Sequence, residues 1–433
     1  MKEIGVGIIG MGTVGAGVVQ VLLENEAEII RRLGARLNLV AIADKDVESD
    51  RGVAVPRDLL TTDVSRVVEN PAVAVVVETI GGYEPAKSFL LRAVDAGKHV
   101  VTANKALLAV HGDEIFARCA EKGVDIGFEG SVGGGIPILR AVREGMAANR
   151  VTSIYGILNG TTNFILTEMK EKGESFERVL KEAQRLGYAE ADPTFDVEGV
   201  DAAHKITLLA TMAFGQKVPF DAVFTEGIRE ITPQDIQYAA DFGFAVKLLA
   251  VAKYDGRRVE VRVHPTMIPS DHLLADVRGV YNAVYVDADF LGPTMYYGQG
   301  AGRRATASAV VGDIIELARN VRMGTAGRVP PRAFQESALA QAVLKPIEEV
   351  RCHYYLRFTA LDKPGVLSKI TGILGEYNIS IESVVQKGRD AGQAVPLVML
   401  THEAREADVR QALGEVELLN ITLGAPALIR VEG

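Results

Sequence analysis

The chain has no tryptophan, and two cysteines in 433 residues. With only Cys119 and Cys352 available, a disulfide framework is excluded and a reducing, cytoplasmic setting is expected. Histidine is scarce too. Its seven copies show no HExxH or other tight ligand spacing, so no zinc site is expected. No apolar run approaches the ~18 residues of a membrane-spanning helix. The start, MKEIGVGIIGMG, lacks the layout of a signal peptide. Basic residues are not in excess: 47 Lys+Arg stand against 56 Asp+Glu, a formal net charge of −9. That balance argues against non-specific binding to nucleic acid or to an anionic membrane. The remaining composition, 48% hydrophobic and 24% charged, is that of an ordinary globular protein. At roughly 100–200 residues per domain the length suggests two to four domains, each able to bury its own core.

The first ~130 residues alternate short β-branched runs with longer amphipathic stretches. Ile4 to Ile9, Leu37 to Ala43, Val73 to Thr79, His99 to Thr102 and Val124 to Phe128 read as strands. Residues 14–33, 84–96 and 111–122 read as helices. Runs apolar on both faces, such as Ala72 to Val77, belong in a sheet covered on both sides, so residues 1–130 are expected to form a doubly wound parallel sheet. After residue 130 the texture changes. A Gly-rich bend leads into a helical stretch at Ile138 to Glu144, then strands at 151–158, 244–254, 258–264 and 280–287 with helices at 161–172, 176–186 and 200–213. Residues 131–320 therefore read as an α+β domain with a more antiparallel sheet, and its last helix, Ala305 to Arg319, is expected to return to the first domain. Residues 321–350, with Arg-Val-Pro-Pro-Arg and a charged helix, read as a linker. Residues 351–433 give strands and helices in the order βαββαβ, the split-βαβ pattern.

Gly10-Met-Gly12-Thr13-Val14-Gly15 follows the first strand and opens a helix. Gly10 permits the tight turn, Gly12 lets backbone approach a pyrophosphate, and Gly15 allows close helix–strand packing. The unpaired N–H groups of the helix start complete a dinucleotide site. Asp44, at the end of the second strand, is placed to bond a ribose 2′-hydroxyl, or is a solvated loop carboxylate. No Arg occupies that turn, although Lys45 or Arg51 could still meet a 2′-phosphate. The choice between NAD and NADP stays open, leaning to NAD or to dual use.

Between Gly187 and Lys205 five carboxylates, Glu190, Asp192, Asp196, Glu198 and Asp201, fall within twelve residues. One reading is a solvated acidic loop with Asp201 and Lys205 as a helical i,i+4 pair. The other is an ammonium-binding cluster that also holds a lysine in its charged form near a carbonyl. The stretch, A-x3-G-Y-A-x2-D-P-x2-D-V-x-G-x-D-x3-K, resembles the signature of homoserine dehydrogenases. The blocks Glu78-Thr79-Ile-Gly81-Gly82, Thr102-Ala-Asn104-Lys105, Glu129 to Pro137, Leu158-Asn-Gly160-Thr161-Thr162 and Gly298-Gln-Gly300-Ala-Gly302 are similar to that family's blocks, in the same order. The resemblance spans roughly residues 1–320.

It implies an NAD(P)-dependent oxidoreductase that interconverts L-homoserine and L-aspartate 4-semialdehyde, on the route to threonine, methionine and isoleucine. Residue by residue, it implies that Lys205 is the acid/base on the substrate oxygen and that Asp201 holds it. Lys105 is the second cation, between nicotinamide and substrate. Glu190 binds the substrate amino group, and Thr161, Tyr188 and Asp196 line the substrate site. The cofactor is expected on Gly10, Gly12, Thr13, Val14, Gly15, Asp44, Thr79, Lys105 and Gly302. Glu129, Val132, Gly134 and Ile136 match positions that hold a monovalent cation, Na+ or K+, mostly through carbonyls. One departure is Ile42-Ala43-Asp44, where many members carry Val-Arg-Asp with the Arg on the 2′-phosphate.

Asp362-Lys-Pro-Gly365 and Asn378-Ile-Ser-Ile resemble the ACT amino-acid-sensing domain. The resemblance implies an effector near Asp362, Gly365 and Asn378, with L-threonine as the expected one. It also implies pairing of ACT units across a two-fold, hence a homodimer or homotetramer. A chain ending near residue 350 is then expected to remain an active dehydrogenase that ignores threonine. The alternative is a non-catalytic nucleotide- and amino-acid-sensing protein on the same fold.

Overall fold

The computed structural model describes residues 2–386 and 394–432. The chain divides into two compact units: Met1–Leu158 with Asp201–Val223 and Tyr281–Ala342, and Asn159–Val200 with Phe224–Val280 and Val343–Gly433.

In the first unit, six parallel strands form one sheet: β1 (Glu3–Ile9), β2 (Arg36–Ala43), β3 (Leu60–Thr61), β4 (Val73–Glu78), β5 (His99–Thr102) and β6 (Ile126–Gly127). Their order is β3-β2-β1-β4-β5-β6. The order reverses between β1 and β4, the topological switch point beside which ligands bind in open α/β sheets. Strand residues Val6, Ile8, Ile42, Val75, Val77 and Val101 pack against Val18, Ala307, Val310 and Ile314 of two helices. One of these is Thr13–Glu24. The other is Arg303–Met323, from far along the chain, and it lies so close that a Cβ on Gly17 would sit 2.6 Å from the Arg303 carbonyl. The same unit carries a smaller antiparallel set in the order Thr294–Gln299, Tyr281–Ala288, Val151–Ile157.

The second unit holds the helices Gly160–Lys172 and Phe176–Arg185 and the long antiparallel pair Phe244–Tyr254 and Val259–Pro269. The C-terminal βαββαβ segment is joined to that pair. Its last strand, Ala427–Val431, runs parallel to Val259–Pro269, with Thr266 opposite Arg430, and antiparallel to Arg351–Leu361 on its other side. Ala394–Thr401 and Ile381–Gln386 complete the order. The helices Val366–Glu376 and Glu406–Leu418 cover one face, burying Tyr354, Leu356, Phe358, Ile370, Leu374 and Val409.

Several expectations need correction. The stretch 14–33 is two helices, Thr13–Glu24 and Glu26–Leu33, because Asn25 leaves helical backbone and starts the second. The helix expected at 111–122 begins at Lys105, where the Asn104 side chain accepts the Leu107 N–H. Ile138 to Glu144 is one α-turn followed by a π-turn, Ala141–Gly145. The second helix of the C-terminal segment starts at Glu406, behind a short strand, Ala404–Arg405. Beyond Met323 the segment 321–350 has no charged helix. Gly324 ends the preceding helix, and the chain continues as two isolated 3₁₀ turns and a two-residue strand paired with Gln216–Lys217. Pro330, Pro331 and Pro346 prevent a longer helix. Arg332 is buried against Asp113 and Glu336, which ties the part up to Ala342 into the first unit, and Val343 and Lys345 bond to Val259 of the second. Among the described residues no helix is long and apolar enough to cross a membrane.

Candidate active site

The cofactor-binding expectations converge at the switch point. Gly10 has φ +104, and a side chain there would meet the Thr79 backbone at 2.8 Å. A Cβ on Gly15 would sit 2.0 Å from the Gly10 carbonyl. Gly12 differs: nothing lies within 4 Å of its would-be Cβ, and the helix Thr13–Glu24 directly after it has no side-chain cap. The outer side of the turn is thus an open cradle of helix-start N–H groups, which a side chain would fill and a pyrophosphate fits. Thr13 is exposed and Val14 half-buried on the first helical turn. Thr79 supports the turn from inside, its Oγ1 donating to the Gly10 carbonyl at 2.8 Å. Asp44 is tied to the same turn: its carboxylate accepts the Met11 N–H at 2.5 Å and the Asp46 N–H at 2.8 Å. Arg51 pairs with Asp46 at 3.0 Å and reaches within 4.0 Å of Asp44. Ala43, which stands in place of an arginine, is buried in β2. Gly302 caps the helix Arg303–Met323 with φ +115 and open space over its Cα.

The same unit brings the catalytic candidates together. Asp201 lies in the first turn of the helix Val200–Phe214 and Lys205 one turn on. Lys205 Nζ donates to Asp201 Oδ2 at 2.7 Å and to the Leu158 carbonyl at 2.6 Å, with both side chains under 10% exposed. Lys105, at the first turn of its own helix and 32% exposed, places Nζ 3.1 Å from the other oxygen, Asp201 Oδ1. One carboxylate therefore orients two ammonium groups. Asn104 positions Lys105, capping its helix and donating to the Gly82 carbonyl at 2.6 Å. Buried Glu78 fixes the neighbouring loop by accepting the Thr102 hydroxyl and the Ile80 and Gly81 N–H groups. Neither Glu78 nor the Leu158 carbonyl was foreseen. A glutamate closing an apolar strand was a signal for the first, while a carbonyl leaves none.

In the second unit, the acidic stretch separates into distinct jobs. Asp196 accepts from Asn159 Nδ2 at 2.7 Å and from Thr161 Oγ1 at 3.1 Å, and that hydroxyl also reaches the Tyr188 carbonyl. The Tyr188 ring meets Phe164 edge-on. Thr161, Tyr188 and Asp196 are thus one cluster, with Asn159, which also caps the helix Gly160–Lys172, as a member not predicted. Asp192 closes a turn on Thr194, whose hydroxyl first and N–H second hold its carboxyl below the ordinary range. Glu198 is taken by Arg229. Glu190 is exposed, and among the described residues no donor or cation engages its carboxylate.

The cation-candidate loop lies in the first unit. The Glu129 carboxylate accepts the Leu139 and Arg140 N–H groups at 2.9 and 2.8 Å, and burial raises its carboxyl. The Ile136 carbonyl accepts the Ile138 N–H. Among the described residues, the carbonyls of Val132 and Gly134, both in buried residues, accept no hydrogen bond. Gly134 packs against Gly300 so closely that a Cβ would sit 2.4 Å from the Gly300 carbonyl.

Gly365, φ +88, caps the helix Val366–Glu376, and Asp362 lies just before it. Asn378, φ +56, lies past the helix's other end, where its N–H closes the last turn on the Gly375 carbonyl. At 1.5 Å per residue an eleven-residue helix separates the two ends by about 16 Å, so one chain does not bring all three onto one small ligand.

A glycine-turn dinucleotide cradle with a Lys–Asp–Lys cluster in the same unit defines the class: a nicotinamide-dependent oxidoreductase. Residues 10–129 match the model of the homoserine dehydrogenase NAD binding domain, 137–315 that of homoserine dehydrogenase, and 354–417 that of the ACT domain. Homoserine dehydrogenase of Pseudomonas aeruginosa is 50% identical over 435 residues, covering 100% of this chain and 99% of that protein. The Bacillus subtilis protein of the same name is 42% identical over 438 residues, again 100% and 99% of the two chains. A solved homoserine dehydrogenase from Thiobacillus denitrificans has 48% identity and a TM-score of 0.94, covering 100% of this chain and 99% of that one. The chain belongs to the homoserine dehydrogenase family.

Proposed function

We propose that the chain interconverts L-homoserine and L-aspartate 4-semialdehyde, with proton and field supplied by Lys205 and Lys105. The observation that carries this is the Asp201 carboxylate shared by both Nζ atoms at 2.7 and 3.1 Å. The bound dihydronicotinamide supplies the hydride. Reduction of the aldehyde builds negative charge on its oxygen, and an alcohol forms when that oxygen takes a proton. Lys205 delivers the proton and Lys105 adds positive field. Asp201 orients both side-chain nitrogens toward the reacting oxygen. In the oxidative direction Lys205 accepts the proton instead. Glu190 receives the substrate ammonium, and Thr161, Tyr188 and Asp196 line the rest of the site. This paired arrangement of lysines favours the enzyme over a non-catalytic sensing protein.

The cofactor is held on Gly10, Gly12, Thr13, Val14, Gly15, Asp44, Thr79, Lys105 and Gly302. We infer dual use of NAD and NADP, with Asp44 on the ribose and Arg51, already beside it, on a 2′-phosphate. A monovalent cation, Na+ or K+, is held by carbonyls of the loop Glu129, Val132, Gly134 and Ile136. L-threonine is the proposed effector. It binds between Asp362 and Gly365 of one chain and Asn378 of a second, in a homodimer or homotetramer, because these residues lie at opposite ends of one helix. The division into residues 1–130, 131–320, 321–350 and 351–433 is retained as the functional one, and the enzyme is placed in the cytoplasm. The test is homoserine oxidation with NAD and with NADP, each with and without threonine, on the chain and on Gly365→Asp. The proposal expects turnover with both cofactors and threonine inhibition that Gly365→Asp blunts. No turnover with either cofactor overturns the activity. Inhibition unchanged by the substitution overturns the effector site.

A further inference from the structure

The spacing of histidines along the chain gave no hint of a metal site, yet strand pairing builds one. Tyr355 lies opposite Leu400 in an antiparallel pair, and continuing that register two residues sets His353 opposite His402. Their rings stand edge-on with centroids 6.4 Å apart. On the other side of Ala394–Thr401, the strand Ile381–Gln386 is bulged. Ile381 faces Thr401 and Ser383 faces Leu400, so Glu382 is the extra residue. A bulge re-aims the side chain it carries, and here Glu382 Oε2 comes within 3.8 Å of His353 Nδ1. One ligand atom from each of His353, Glu382 and His402 lies within 4.8 Å of the other two.

We propose that His353, Glu382 and His402 bind a divalent first-row transition cation, of which zinc is the representative. Two imidazoles and one carboxylate suit zinc, cobalt, nickel or copper, whereas magnesium and calcium take oxygen donors. The His353 ring is already oriented, its Nδ1 3.1 Å from the Thr401 carbonyl. Competition for the glutamate is small. Arg351 is held by Glu403 at 2.7 Å, and among the described residues no lysine or arginine pairs with Glu382. With His353 and Glu382 about half exposed, three protein ligands would leave open positions for water, and the ion would clamp three neighbouring strands at one end of the sheet.

The site is separate from the lysine cluster and does not depend on the dehydrogenase reading. Untagged full-length chain, stripped with chelator, is titrated with Zn2+ by calorimetry and with Co2+ by visible absorption. The expected result is one site per chain in which Co2+ gives d–d bands and Mg2+ does not compete. His353→Ala with His402→Ala should weaken binding by at least about tenfold, and Glu382→Gln by less. Homoserine oxidation and far-UV dichroism should be unchanged in these variants, since the side chains lie at the surface. Equal Zn2+ binding in wild type and double variant, or none in either, overturns the proposal.

Discussion

Ending the chain at residue 350 tests how far the C-terminal segment can be regarded as an appendage. The cut removes the strand Ala427–Val431 and leaves Thr266 and Met267 of Val259–Pro269 without their strand partners on that side. Arg262, 1% exposed, loses its pair with Glu432 and keeps only Glu260. Asp235, fully buried, loses the Arg357 guanidinium at 2.6 and 3.0 Å and the Tyr355 hydroxyl at 3.0 Å. Breaking a buried pair by removing one partner costs about 3–5 kcal/mol. Water entering the cut face reduces that figure, but total stability is itself only about 5–15 kcal/mol. The expectation drawn from sequence, an active truncated enzyme, is therefore replaced by its opposite. Residues 1–350 should aggregate on expression, or unfold at least about 10 °C below the full chain in dichroism melts. Size-exclusion chromatography and homoserine oxidation complete the assay. A monodisperse truncated chain that melts within about 2 °C of the full one and turns over normally would refute the reasoning.

Local geometry sets the outcome of four smaller perturbations. Gly12→Ala should fold with an unchanged melting temperature but weaken cofactor binding at least about tenfold, because its Cβ enters only the open cradle. Gly15→Ala should instead cost several degrees of melting temperature, its Cβ colliding with the Gly10 carbonyl; equal behaviour of the two variants would contradict this. Arg51→Ala should lower kcat/KM with NADP by about tenfold and leave NAD within about twofold, as loss of a charge-assisted contact predicts; parallel losses would place Arg51 in the fold alone. Asp313 is fully buried, and burial, with the Glu129 charge adding, holds its carboxyl up at about 7. The Arg140 guanidinium at 3.1 Å pulls the other way but is outweighed. Between the ordinary carboxyl range near 4 and pH 7 the native state thus binds more protons than the unfolded state, so stability falls as pH rises. Asp313→Asn should flatten that fall in melts between pH 5 and 8, and an unchanged slope would assign it to other groups.

What could be read beforehand was local. The glycine turn announces itself because strand, turn and helix adjoin in sequence, and Asp201 with Lys205 is a one-turn helical pair. The rest was set by pairings that no short window contains. Lys105 meets Asp201 from nearly a hundred residues away, and the Leu158 carbonyl that steadies Lys205 is backbone. The helix break at Asn25 was hidden by apolar residues that continue the period on both sides. Ala427–Val431 reads as a strand, but its parallel partner, Val259–Pro269, lies more than 150 residues back, so the joining of the ACT segment to that pair was invisible. The same is true of His353, Glu382 and His402, which register and one bulge bring together.

The most direct test of the account is the turnover of Lys205→Met, which keeps the buried stem and removes the ammonium held by Asp201 and the Leu158 carbonyl. Homoserine oxidation should lose about two to four orders of magnitude in kcat, the range for removing general acid–base help. Cofactor affinity, measured by fluorescence titration, should stay within about twofold. A variant that retains kcat within about threefold of the unmodified chain would contradict the central claim and remove Lys205 from the chemistry.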